Sequence, residues 1–217
     1  LGDVYKRQAY KATEMWLEDR LGLDISPDKS KVVNLKRQYS DFLGFKLKVR
    51  KKGKKYVVRS HMCDKAYKKA HEKLTEEVKT LVHSSDDTVQ FMQLQKYNSV
   101  VAGLHEYYCI ATETASDFGK LAFSINKQLR NRLKGDVSRN GSLRNGFIKD
   151  KYGKSKQLRF LHERPIVPVG AVPQKNAQNK RKNINKYTVK GRELIHKNLT
   201  INTDAMLWPV SYTHLRA

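Results

Sequence analysis

The chain has 217 residues, enough for one or two domains with a real core, and 39% of them are hydrophobic, which is enough to fold. Its 44 Lys and Arg stand against 21 Asp and Glu, giving a formal net charge of +23, and that balance points to a polyanionic partner. There is no long apolar run and no lipidation signal, so a basic membrane-surface protein is the weaker rival, and the two cysteines, Cys63 and Cys109, make no Cys-x-x-Cys pair and suit a reduced cytosolic setting.

Taken in chain order, Ala9, Ala12, Trp16, Leu17 and Leu21 fall on one side of a helix, with Gly22 at the left-handed cap position. Extended structure is expected at 23–25 and a strand at 31–35, so that this helix lies on an antiparallel sheet. From 26 to 59, β-branched and aromatic residues alternate with cations on either side of a Lys52-Gly53 turn, the pattern of a hairpin with one packed and one charged face. Phe45, Leu47 and Val49 point one way and Lys46, Lys48 and Arg50 the other, while Lys51, Lys52, Lys54 and Lys55 crowd the tip with Arg50. Nothing in the hairpin neutralises these cations, so phosphate is a natural counter-charge. The alternative is an edge strand protected from aggregation by solvated lysines. Gly44, set between aromatics in Phe42-Leu43-Gly44-Phe45, is expected at a bulge or a close backbone approach.

The period changes after His61. Ala66, Ala70, Leu74, Val78, Leu81 and Val82 recur at helical spacing, with Asp64 as the expected N-cap. His61, Cys63 and His71 fit no standard zinc spacing and are expected to be surface or packing residues. A second helix is predicted over 88–112 from Val89, Met92, Leu94, Tyr97, Val100, Val101, Leu104, Tyr107 and Tyr108. A third, capped by Ser116 or Asp117, has Phe118, Leu121, Ala122, Ile125, Leu129 and Leu133 inside and Lys127, Arg130, Arg132 and Lys134 outward. Three such helices with short polar turns make a small bundle. The stretch 136–156, rich in Asn, Gly, Ser and Lys, reads as a linker. Prolines then restrict the chain to short or edge strands, and Lys180, Arg181, Lys182 and Lys186 form a second basic cluster before a helix near 189–198. The expected class is α+β. No GxGxxG, P-loop, nucleophile elbow or HExxH supports nucleotide hydrolysis, redox or protease chemistry.

Three stretches carry a family resemblance: Ser-Pro-Asp-Lys-Ser-Lys-Val-Val-Asn-Leu at 26–35, Phe-Leu-Gly-Phe at 42–45, and Asn-Ser-Val-Val-Ala-Gly-Leu-His-Glu-Tyr-Tyr at 98–108. In combination they resemble the end of the palm and the thumb, or maturase X, segment of group II intron reverse transcriptase/maturase proteins. The resemblance implies a residual palm sheet with one helix over 9–60, a helical thumb over 61–135, and a linker with an irregular basic DNA-binding region over 136–209. It implies that Phe42, Leu43, Gly44 and Phe45 are the primer grip and that the cationic side of the third helix faces a nucleic-acid backbone. Lys29 and Lys31 are candidates for supporting a departing pyrophosphate; two cations flanking a Pro-Asp turn is the equal alternative. The family's polymerisation uses magnesium held by paired aspartates of a Tyr-Ala-Asp-Asp strand. No such motif occurs in this chain, so the chain alone is expected to be inactive and without a cofactor. The Cys and His ligands of the HNH nuclease found in some members are also missing. Implied partners are intron RNA, RNA/DNA template-primer and target DNA in a cytoplasmic bacterial ribonucleoprotein. The alternatives are a free-standing RNA-binding or RNA-chaperone protein, or part of another retroelement-type reverse transcriptase.

The two ends are read separately. With one choice of codons, Leu1–Gln8 back-translates to a DNA string whose complementary strand, in a shifted frame, encodes Val210 to Arg216. The string resembles a sequencing-library adapter, so 1–8 and 210–217 are expected to be adapter read-through flanking a gene fragment.

Overall fold

Residues 2–27, 30–83, 86–175 and 187–197 are described by the computed structural model. They form an α+β chain of two units, Leu1–Asp64 and Lys65–Ala217.

The first unit holds helix α1 (Gly2–Leu21) and a three-stranded antiparallel sheet of β1 (Ser40–Phe42), β2 (Phe45–Lys52) and β3 (Lys55–Met62), ordered β1-β2-β3. Gly22 ends α1 with φ of 60°, as its cap position predicts. The helix does not bury its apolar side: Trp16 is 55% exposed and Leu17 only half-buried. Charged residues between its apolar positions leave no continuous stripe for a sheet to cover.

The strand expected at 31–35 does not form. Asn34 bends the chain instead: its carbonyl accepts from the Arg37 and Gln38 N–H groups at 2.9 and 3.1 Å, and its Oδ1 accepts from Lys36 N–H at 3.1 Å. Phe42-Leu43-Gly44-Phe45 is not one strand with a bulge either, but another backbone does come close at Gly44, whose carbonyl accepts from Cys63 N–H at 2.8 Å. Leu43 (φ 47°) and Gly44 (φ 79°) are the two central residues of a tight hairpin that pairs Phe42 with Phe45, and two left-handed residues match strand twist in such a turn. The turn expected at Lys52-Gly53 falls one residue later: Lys52 pairs with Lys55, and Gly53, at φ 61°, and Lys54 are its central residues.

The second unit is built on three helices, α2 (Asp64–His83, whose first residue belongs to the first unit), α3 (Asp87–Tyr108) and α4 (Thr114–Arg132). Leu74, Val78, Leu81, Leu94, Tyr97, Val101, Phe118, Leu121 and Ile125 form its fully buried centre. Each such side chain contributes ~1.5–3 kcal/mol relative to exposure. Asp86 caps α3, while α4 begins at Thr114 after Glu113, earlier than the expected Ser116 or Asp117, with Asp117 buried in its first turn. Gly103 is exposed and meets nothing where a β-carbon would sit.

The stretch read as a linker is folded. β4 (Val137–Ser138), α5 (Gly146–Tyr152), β5 (Arg159–Leu161) and β6 (Arg164–Ile166) follow α4, and β4-β5-β6 make a second antiparallel sheet. Asn145 caps α5 by accepting from Ile148 N–H at 3.2 Å, and Ile148 and Tyr152 are buried. The last described helix is α6 (Val189–Lys197).

One stripe of α3 holds this second layer in place. Asn98 Nδ2 donates to the Pro165 carbonyl and Asn98 Oδ1 accepts from Val167 N–H, each at 2.8 Å. Two helical turns on, buried His105 places Nε2 2.8 Å from the Val169 carbonyl and Nδ1 2.9 Å from the Tyr152 hydroxyl. A carbonyl only accepts, so Nε2 carries the hydrogen and Nδ1 accepts from Tyr152. Burial pushes the His105 pKa down to about 4, with the Lys151 charge adding to it and the Val169 bond opposing. Ion pairs flank the clamp at both ends of α3: Glu106 pairs with Lys151 and Lys175 at 2.8 and 2.7 Å, and Asp87 grips the Arg164 guanidinium through both oxygens.

Asn98→Ala strips partners from two backbone groups, and urea unfolding is expected to report a loss of ~2–4 kcal/mol. The His105 site sets an acid limit. Its folded pKa lies below the unfolded 6.5, so its contribution is whole above pH 6.5 and is lost as the pH falls toward 4, by up to about 1.4 kcal/mol per pH unit. Urea titrations across that interval on the wild type and on His105→Gln check it: the variant is expected to show a shallower fall.

Candidate nucleic-acid interface

The register of the first sheet decides which of its cations meet. Tyr39 directly precedes β1, Lys48 pairs with Arg59 and Lys46 with His61, so Tyr39, Lys48 and Arg59 form a row across one face with Lys46, His61 and Arg50 beside it. Lys48 Nζ stands 4.9 Å and Lys46 Nζ 5.6 Å from the Tyr39 ring centroid, and Arg50 Nη2 donates to the Tyr39 hydroxyl at 3.4 Å. The ring's negative face offsets part of the repulsion between these cations, by ~0.5–1 kcal/mol per contact at an exposed site. His61 meets the same tyrosine edge-on at 6.5 Å.

The cations differ in how they are occupied. Lys46 is bound to Asp64 at 2.5 Å. Lys48, Arg50 and the tip residues Lys51, Lys52, Lys54 and Lys55 have no carboxylate partner among the described residues. Asp41 lies opposite Lys46 on the same face, so the cationic field gathers around Lys48, Arg50 and the Tyr39 ring, and the tip extends it. The opposite face is less covered than expected: Leu47 and Val49 are half-buried, but Phe42 and Val58 stand 63% and 52% exposed.

In the second unit Lys127, Arg130, Arg132 and Lys134 are all exposed, as expected. Lys127 and Arg130 lie one turn apart on one side of α4, Lys134 follows in the 3-10 turn Lys134–Asp136, and Arg132 points away from Arg130 by helical geometry. Tyr108 belongs to the core while Tyr107 is exposed, their rings 4.8 Å apart. The primer-grip residues Phe42 to Phe45 are brought together by their hairpin. Lys31 is exposed in an irregular segment. Lys29, Lys180, Arg181, Lys182 and Lys186 lie outside the described residues.

Two members of the sheet face, Tyr39 and Arg59, escape sequence reasoning. Arg59 sits opposite Lys48 only because of the β2–β3 register, which the Gly53-Lys54 turn length sets. That signal is readable in the sequence. Tyr39 is not, since the expected strand at 31–35 obscures where β1 begins.

No group of three or more His, Cys, Asp or Glu side chains able to hold a metal ion occurs among the described residues. Among the same residues no helix is long and apolar enough to cross a membrane. No family model matches the chain, and no curated protein matches it.

Proposed function

We propose that the chain binds RNA through the cationic face and tip of its first sheet, as the palm-end and thumb portion of a group II intron reverse transcriptase/maturase. The observation that carries the binding is the row Tyr39, Lys48 and Arg59, with Arg50 beside it and four lysines at the tip. Lysine ammonium groups on flexible stems suit phosphates whose positions vary, and an aromatic ring among them offers a stacking surface for an unpaired base. The family assignment rests on the motifs at 26–35, 42–45 and 98–108, and its partners are intron RNA and template-primer in a cytoplasmic ribonucleoprotein. The sequence carries no Tyr-Ala-Asp-Asp motif, and the function assigned to the chain itself is binding.

A free-standing RNA-binding protein is the second reading, and the same sheet face favours it equally. Sequencing the DNA beyond both ends separates the two. An in-frame Tyr-Ala-Asp-Asp motif upstream supports the polymerase; a start codon just before Ala9, with no polymerase before it, supports the free-standing protein.

Binding itself is tested with a structured RNA across a salt series. The logarithm of affinity is expected to fall steeply with the logarithm of salt, and replacing Lys51, Lys52, Lys54 and Lys55 with glutamine is expected to flatten the slope by about 0.7–0.9 for each phosphate no longer neutralised. An affinity indifferent to salt would remove phosphate binding as the main term and the reading with it.

A further inference from the structure

Where the end of α4 meets the second sheet there is a cavity of ≈ 270 Å³. Arg130 reaches it from α4, Lys134 from the 3-10 turn, Arg139 from the residue after β4 and Arg159 from β5, and no Asp or Glu lines it. None of these four cations has an ion-pair partner among the described residues. Arg159 is fixed by donating to the Lys156 and Leu158 carbonyls at 2.9 and 2.7 Å.

The lining is of two kinds. Val137, half-buried, supplies apolar surface, with Leu129 and Ile166, almost wholly buried, behind it. Asn126 and Gln157 bring side-chain amides. Gln157 occupies space that Gly170 leaves open: a β-carbon at Gly170 would lie 2.6 Å from Gln157 Oε1. Four converging cations without a counter-charge repel one another, and an anion relieves them. A bare phosphate leaves the apolar surface unused, while a nucleotide uses every part: phosphate on the cations, base or ribose on the apolar residues, amides to the base edge or the 2′-hydroxyl. The volume falls just short of the ~300 Å³ at which clefts for drug-sized ligands begin, a size in keeping with one nucleotide.

We propose that this cleft takes a single unstacked nucleotide of an RNA strand, held by Arg130, Lys134, Arg139 and Arg159 at its phosphate. The proposal rests on the RNA-binding reading, but it concerns a different surface from the sheet. The test uses the full chain, a short labelled single-stranded RNA, and two variants: Arg130→Ala with Arg139→Ala for the cleft, and Lys48→Ala with Arg50→Ala for the sheet. Arg130, Arg139 and Arg50 are exposed and Lys48 is half-buried, and circular dichroism verifies folding. The cleft variant is expected to weaken single-strand binding roughly tenfold and to reduce the salt slope by about 0.7 for each phosphate it no longer neutralises. In parallel, the methyl resonances of Ile166 and Val167 are followed on adding uridine monophosphate or inorganic phosphate. Shifts with the nucleotide, and little change with phosphate, support the proposal.

Equal shifts with both would make the cleft a simple anion site and overturn the nucleotide. Loss of binding only in the sheet variant, with silent methyls, would overturn the cleft while leaving the RNA-binding reading intact. A wild type that binds no RNA would overturn that reading, and the methyl response would then still decide whether the cleft takes a nucleotide. An equal loss of single-stranded DNA binding in the cleft variant would overturn the choice of RNA over DNA, since the 2′-hydroxyl would then go unread.

Discussion

The second unit depends on a side-chain amide and an imidazole doing what a neighbouring strand would otherwise do. The segment after β5 carries prolines at 165 and 168, which lack N–H groups and cannot donate to a ladder. Asn98 takes the Pro165 carbonyl and the Val167 N–H, and His105 takes the Val169 carbonyl, so the backbone groups of a buried segment are paired by one face of α3. Both residues sit where helical spacing alone would place apolar side chains. A leucine at either position would pack, but it would leave these backbone groups without partners, at ~1–3 kcal/mol each. The polar stripe is thus a requirement of the layer above it.

The clamp also fixes the cleft. Ile166 and Val167 line it, and Val167 is the residue whose N–H Asn98 holds. The cations come from other elements, α4, the turn after it, and β4 to β5. Their convergence therefore follows from how the sheet is seated on the helices. Removing Asn98 would disturb the cleft without touching any of its charged residues.

Amphipathic helices were the most legible part of the sequence, because burial leaves a periodic record. Phe118, Leu121, Ala122, Ile125, Leu129 and Leu133 are buried, and Lys127, Arg130, Arg132 and Lys134 face outward, as their spacing predicts. The misses have local causes. Asn34 bends the chain into a turn just after the apolar pair Val32 and Val33 through its own hydrogen bonds, and propensity counting does not see them. Leu43 adopts a left-handed conformation that leucine disfavours by roughly 1–2 kcal/mol, so nothing announced a hairpin there. Residues 136–156 lacked periodicity because α5 has only 7 residues and β4 only 2, too few for a period to register. The cationic sheet face was legible from alternation, but Tyr39 and the cleft were not. Both are assembled by register and packing between separate elements.

The two basic surfaces differ in the chemistry of their charges, and this bears on what each can do with RNA. The hairpin tip is all lysine, compact charges on long flexible stems that follow a phosphate backbone without fixing its geometry. Such a surface contributes affinity that salt screens and sequence barely affects. Three of the four cations at the cleft are arginines, planar forks that match phosphate oxygens bidentately, and Arg159 is held by two backbone carbonyls before any ligand arrives. An orienting group fixed in advance loses less entropy on binding. On the proposed reading, the lysines therefore gather the strand, while the arginines set its register by holding one phosphate beside an apolar surface sized for one nucleotide.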